Sequence, residues 1–167
     1  MIRAMTLSLA VLCLAVIAGC PYSSKVPLAE PDGRALDDRL IGQWVGIDGD
    51  GDSLQIGIFP FNQREYYAEF GGNSGAPTRC RVFAFDVGGE RLLHINELSA
   101  TRASVEYSFA RYTFSGDSEL AVRFVGEKSV PKALASDALA LSAFLEAHLA
   151  DSALIDGGTV QALRRRQ

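Results

Sequence analysis

Asp48, Asp50 and Asp52 stand at alternate positions, the carboxylate spacing that opens a calcium loop. Such a loop also needs glycine at its sixth position and a bidentate glutamate at its twelfth. This chain has Ser53 and Phe59 there, so a β-turn rich in Asp and Gly explains the spacing better. Gly51-Asp52-Ser53-Leu54, half repeated at Gly116-Asp117-Ser118, could present a serine hydroxyl as nucleophile. A serine of that kind needs a base in reach, and no Asp-x-x-His follows later in the chain. His94 and His148 are the only histidines, at no spacing that zinc would use. His148 falls on an apolar helical stripe, where packing against a sheet is expected, whereas His94 alternates with Leu92 and Asn96 in a strand-like run. Glu65, Glu69 and Glu106 belong to the wet face of strands. Cys80, in Cys80-Arg81-Val82-Phe83-Ala84-Phe85, reads as a small buried strand residue. No catalytic constellation, metal site or cofactor emerges, and the chain is read as a non-enzyme.

Cys20 is different. It follows Arg3, an uncharged apolar run over residues 4–17, and the small residues Ala18 and Gly19. That run is too short to cross a bilayer comfortably and has the form of a signal peptide's apolar core. Ile17-Ala18-Gly19-Cys20 resembles the lipobox of bacterial lipoproteins. The resemblance implies cleavage between Gly19 and Cys20, with acyl chains on the new terminal cysteine. Each buried methylene stabilises anchoring by about 0.8 kcal/mol, so two chains hold where one does not. Pro21 replaces the aspartate that marks inner-membrane retention in such proteins, which points to the outer membrane, with the body facing the periplasm.

Residues 1–19 are thus expected to be removed as the signal. Residues 20–35, broken by Pro21, Pro27 and Pro31, are expected to form a lipidated terminus and flexible tether. Residues 36–167 are one domain's worth of chain. With 16 basic and 20 acidic residues and Arg3 lost to the signal, the mature protein is acidic. That balance excludes a nucleic-acid binder, which must displace phosphate counterions. Cys13 leaves with the signal and Cys20 is acylated, so Cys80 has no internal disulfide partner.

The body alternates short β-branched and aromatic runs with Gly, Asp and Asn. Strands are predicted near 40–47, 54–59, 65–70, 79–87, 91–98, 104–113 and 119–125. The connections are too short for crossover helices, so neighbours must pair antiparallel, and Gly88-Gly89 is the clearest two-residue turn. Leu54, Ile56 and Ile58 share a face, as do Tyr66, Ala68 and Phe70, and Leu120, Val122 and Phe124. Val105, Tyr107 and Phe109 are read the same way. Ser136 is the expected cap of a helix carrying Leu141, Phe144, Leu145, His148 and Leu149. A last strand over 159–164 follows. The predicted fold is mainly β: an antiparallel meander of about eight strands curled into a barrel, with one C-terminal helix before the last strand.

Gly42-Gln43-Trp44 at the start of the first strand is similar to the opening motif of lipocalins and related calycin barrels. In that family the tryptophan plugs the closed end under an arginine of the last strand. The resemblance implies structural roles for Gly42, Trp44 and Arg164, although the helix precedes the last strand here. A barrel lined by Trp44, Tyr67, Phe83, Phe85, Tyr107 and Phe109 would hold a small apolar ligand, a lipid or acyl chain. The competing reading is a non-catalytic accessory protein that docks on another envelope component.

Overall fold

The structure is a computed structural model that describes residues 20–31, 35–47, 51–71, 76–98, 105–156 and 160–166. Eight strands form a closed antiparallel barrel in sequence order. They are β1 (Gly42–Ile47), β2 (Ser53–Pro60), β3 (Tyr66–Gly71), β4 (Thr78–Val87), β5 (Glu90–Glu97), β6 (Tyr107–Ser115), β7 (Glu119–Phe124) and β8 (Val160–Arg165). β8 pairs with β1 and closes the ring. The meander thus folds as its short connections dictate, and closure removes both sheet edges. At the β4–β5 hairpin, Gly88 and Gly89 take φ of 57° and 80°, the left-handed values that a two-residue turn needs.

Between β7 and β8 lie two 3-10 turns, Glu127–Ser129 and Lys132–Ser136, then α1 (Ala138–His148) and α2 (Ser152–Asp156). The cap of α1 is Asp137, one residue beyond the expected Ser136. Its carboxylate accepts the Ala140 N–H at 3.0 Å, while Ser136 ends the preceding 3-10 turn. The second helix, α2, goes beyond the single helix expected. Leu154 and Ile155 bury it despite its short length.

Two apolar clusters result, one on each side of the same wall. Trp44, Leu54, Tyr66, Ala68, Cys80, Val82, Leu93, Ala110, Leu120, Val122 and Leu163 fill the inside. Phe83, Phe85, Val87, Leu92 and Phe109 face outwards and pack under Leu141, Leu145, Leu149, Leu154 and Ile155. The middle of β4, Val82 to Phe85, and the Leu92-Leu93 pair of β5 are therefore apolar on both faces, because both faces are covered there. Arg111 secures the helical layer by donating from Nη2 to the Leu149 carbonyl at 2.9 Å.

The segment expected to be a flexible tether is instead strapped to the outer wall. The Glu127 N–H donates to the Cys20 carbonyl at 3.0 Å, and the Tyr22 N–H to the Val125 carbonyl at 2.8 Å. Ser24 and Tyr107 exchange both backbone bonds at 2.9 Å, and the Lys25 N–H donates to the Ala135 carbonyl at 2.8 Å. Tyr22 is buried in the outer cluster, and Leu28 and Ala29 pack against it. Proline-rich chain is extended and loses little entropy on docking. Its composition predicts a tether only where no apolar wall waits beside it.

Candidate functional site

Strands of an antiparallel barrel turn alternate residues inwards, so parity decides what the interior is made of. Leu54, Ile56 and Ile58 of β2, Tyr66, Ala68 and Phe70 of β3, Cys80 and Val82 of β4, and Leu93 and Ile95 of β5 face a common space. With Leu40, Val122, Phe124 and Leu163 they enclose a cavity of about 210 Å³. Ile56, Ile58, Phe70, Ile95 and Phe124 face inwards yet are only half-buried, which marks the cavity as unfilled by side chains.

Only two lining groups carry a heteroatom in their side chains. The Tyr66 hydroxyl accepts the Asp37 N–H at 2.6 Å, and burial pushes its pKa up to about 12. Burial likewise pushes the Cys80 thiol up to about 12. Both are neutral at physiological pH, and a protonated thiol is a poor nucleophile. The space is suited to apolar contact and carries no acid–base pair.

One end is plugged. Trp44 is fully buried, and its Nε1–H donates to the Leu40 carbonyl at 2.9 Å. Trp44 and Arg165 are direct partners across the β1–β8 pair, so their side chains share a face. The Arg165 guanidinium lies 4.4 Å from the Trp44 ring centroid and donates to the carbonyls of Ile41 at 2.7 Å and Arg39 at 2.5 Å. Arg39 in turn lies 4.6 Å over Phe114, whose ring is 6.2 Å from Trp44. The expected arginine was Arg164. That residue sits one position earlier in β8, so it points outwards and reaches Glu119 at 3.8 Å. The strand runs to Arg165, and the one-residue shift exchanges the two faces.

Gly42 belongs to this plug for a physical reason. Its φ is +145°, and a Cβ built there would stand 2.6 Å from Arg165 Nη1. Gly42→Ala is expected to lower unfolding free energy by about 1–3 kcal/mol through backbone strain and displacement of the guanidinium. Urea titration of the full chain followed by circular dichroism measures it. A loss within error of zero would show that Arg165 relaxes freely.

Of the aromatic residues expected to line the cavity, only Trp44 is inside, and it belongs to the plug. Tyr67 faces outwards and donates to Glu69 at 2.5 Å. Phe83, Phe85, Phe109 and Tyr107 also point outwards, into or against the layer beneath the helices and the strap. The cavity is lined chiefly by aliphatic residues. Their signal was the alternation of Leu54, Ile56 and Ile58 and of Leu120, Val122 and Phe124, which aromatic content overshadowed.

His94 faces the same outer layer. It is 1% exposed, and neither ring nitrogen has a hydrogen-bond partner among the described residues. Its ring stacks on Phe83 at 4.5 Å, with Tyr107, Phe109 and Phe85 at 4.9, 5.4 and 5.9 Å. Desolvation lowers its pKa to about 4. Beside it, a smaller cavity of about 140 Å³ reaches Glu65, Arg81 and Asn96 under Pro27 and Pro31 of the strap. The buried Glu65 carboxylate is held by Arg81 at 2.6 Å, which lowers its pKa. His148, expected to pack against the sheet, is exposed on α1. It stacks on Phe144 at 4.2 Å, and its Nδ1 lies 2.8 Å from the Phe144 carbonyl. A residue at the edge of an apolar stripe at the last turn escapes burial when Leu145 and Leu149 already fill the contact.

Ser53 opens β2 and Ser118 lies in the β6–β7 turn, neither at the start of a helix. Asp48 and Asp50 lie outside the described residues, as do residues 1–19 and Thr159. Among the described residues no group of His, Cys, Asp and Glu could hold a metal ion, and no helix is long and apolar enough to cross a membrane. Comparison with protein-family models, with curated proteins and with solved structures returns no match.

Proposed function

We propose that this chain is an envelope lipoprotein, acylated on Cys20, whose barrel holds one small apolar molecule or the end of a single acyl chain. The unfilled apolar cavity of about 210 Å³ carries the reading. An apolar protein cavity of about 150 Å³ stays dry and takes up benzene. Sites for drug-sized ligands begin at about 300 Å³. The space here falls between them, which suits a slim hydrocarbon tail and excludes a bulky polar substrate. Exposure of Cys20 leaves its thiol free to carry the anchor. The outer membrane follows from Pro21 by the same resemblance that supplies the anchor.

The full precursor, expressed in a bacterium with labelled palmitate and purified from membranes, tests both halves. Label on the protein, absent from Cys20→Ser, supports the anchor. A fluorescent fatty acid displaced by unlabelled lipid supports the cavity. Ala68→Phe places a ring in that cavity and is expected to abolish fatty-acid binding without lowering the melting temperature. Leu93→Phe serves as the second filling variant. Unchanged binding in both folded variants, or no binding by the parent chain, would end the carrier reading.

A further inference from the structure

Closure of an eight-stranded meander places the ends of β1, β3, β5 and β7 and the starts of β2, β4, β6 and β8 at one rim. Trp44 and Arg165 plug the other. Among the described residues, the rim opposite the plug therefore runs through Ile47, Ser53, Gly71, Thr78, Glu97, Tyr107 and Phe124. Cys20 is fixed at this unplugged rim. Its carbonyl accepts the Glu127 N–H, Pro21 bridges to Gly126, and Tyr22 bonds Val125, all within three residues of the end of β7. Ser23 Oγ adds a bond of 2.6 Å to Glu106, immediately before β6. From there the strap descends the wall to Pro31, beside Asn62 and Glu65 at the β2–β3 turn of the plugged end.

We infer that the barrel stands mouth-down on the leaflet that holds the Cys20 acyl chains, so its cavity opens onto lipid and takes a lipid tail directly from that leaflet. This rests on acylation of Cys20 as proposed above. The argument is one of slack. A flexible linker would let the domain turn freely, since ten Gly-Ser residues already span roughly 17 Å. Here the acylated residue itself makes a backbone hydrogen bond to the rim, so no free residue separates anchor from mouth.

The rim's chemistry agrees. Ile47, Leu98 and Val105 project from its strand ends at 63%, 43% and 46% exposure. An apolar side chain exposed to water at that position can be buried instead among acyl chains. All three lysines of the chain, Lys25, Lys128 and Lys132, are exposed on the strap and the turns beside Cys20. Glu97, Glu106 and Glu127 share that end, so anchoring owes little to anionic lipid and little to ionic strength.

The full chain, purified acylated from membranes, is to be reconstituted into phosphatidylethanolamine–phosphatidylglycerol vesicles that include a head-group nitroxide lipid. Leu98→Cys carries a fluorophore at the rim and Gln63→Cys one at the plugged end; both positions are exposed, and buried Cys80 stays unlabelled. The rim label is expected to lose most of its emission while the plugged-end label keeps its own. A ten-residue Gly-Ser insertion between Cys20 and Pro21 is expected to erase the difference. Equal quenching of both labels without the insertion, or stronger quenching at position 63, would overturn the orientation. Absence of palmitate from Cys20 would overturn it together with the anchor. Rim quenching in a protein that retains no fatty acid would uphold the orientation and remove the carrier reading alone.

Discussion

Trp44→Ala is expected to destabilise the barrel by about 3–5 kcal/mol, the range for emptying a fully buried tryptophan site. That is a large share of the roughly 5–15 kcal/mol that holds a typical domain together. The indole fills the closed end with no exposed surface, donates to the Leu40 carbonyl, and supports the guanidinium of Arg165. Alanine leaves a void that neighbours cannot fill, because the β1–β8 pairing fixes the wall on both sides. Arg165→Met is the companion variant. It keeps an apolar stem but gives up the ring contact, worth about 0.5–2 kcal/mol, and the bonds to Ile41 and Arg39. Its loss should be smaller than that of Trp44→Ala. Urea unfolding followed by circular dichroism reads both, and a Trp44→Ala loss below that of Arg165→Met would refute the plug as the keystone of this end.

Acidification is the second large effect. His94 has a folded pKa of about 4 against an ordinary 6.5, because desolvation penalises its charged form. Between those values the unfolded chain takes up a proton and the folded one does not. The stabilisation is therefore fully present above pH 6.5 and is lost as pH falls towards 4, by on the order of 3 kcal/mol. Among the described residues no carboxylate faces the ring closely enough to offset this. Phe83, Phe85, Tyr107 and Phe109 surround it, and Glu65 at the adjoining cavity is engaged by Arg81. Glu65 and Asp37, whose pKa values are lowered, lose their stabilisation at still lower pH. His94→Phe keeps the stacking and removes both orphan nitrogens, so it should flatten the pH 6.5–4 slope and leave neutral stability equal or higher. Parallel wild-type and variant slopes in urea midpoints across that window would refute the assignment.

Strand alternation, short Gly- and Asp-rich connections and the Gly88-Gly89 turn were enough to specify an antiparallel meander, because each is a local property of a few residues. The stripe of Leu141, Leu145 and Leu149 likewise specified a helix that needed a cover. The plug at the first strand was expected only through the resemblance that Gly42 and Trp44 carry. The arginine that completes the plug was displaced by one, since a strand's end depends on its partner and not on its own residues. Tyr67, Phe83, Phe85, Tyr107 and Phe109 are expected in the lining as aromatic strand residues. Parity puts all five outside, with Phe83, Phe85, Tyr107 and Phe109 under or against the helices and the strap and Tyr67 beside Glu69.

By itself, then, the chain's residue order determined the eight strands and their pairing sequence. Tertiary structure decided which side of β4 and β5 holds a cavity and which is sealed by helices, because neighbours such as Val82 and Phe83 are apolar on opposite faces and neither says which cover it will meet. It also decided the fate of the proline-rich segment. Extended chain has no intrinsic partner, and only the exposed wall beside Tyr107 and Val125 turns it into a strap that brings Cys20 to the mouth.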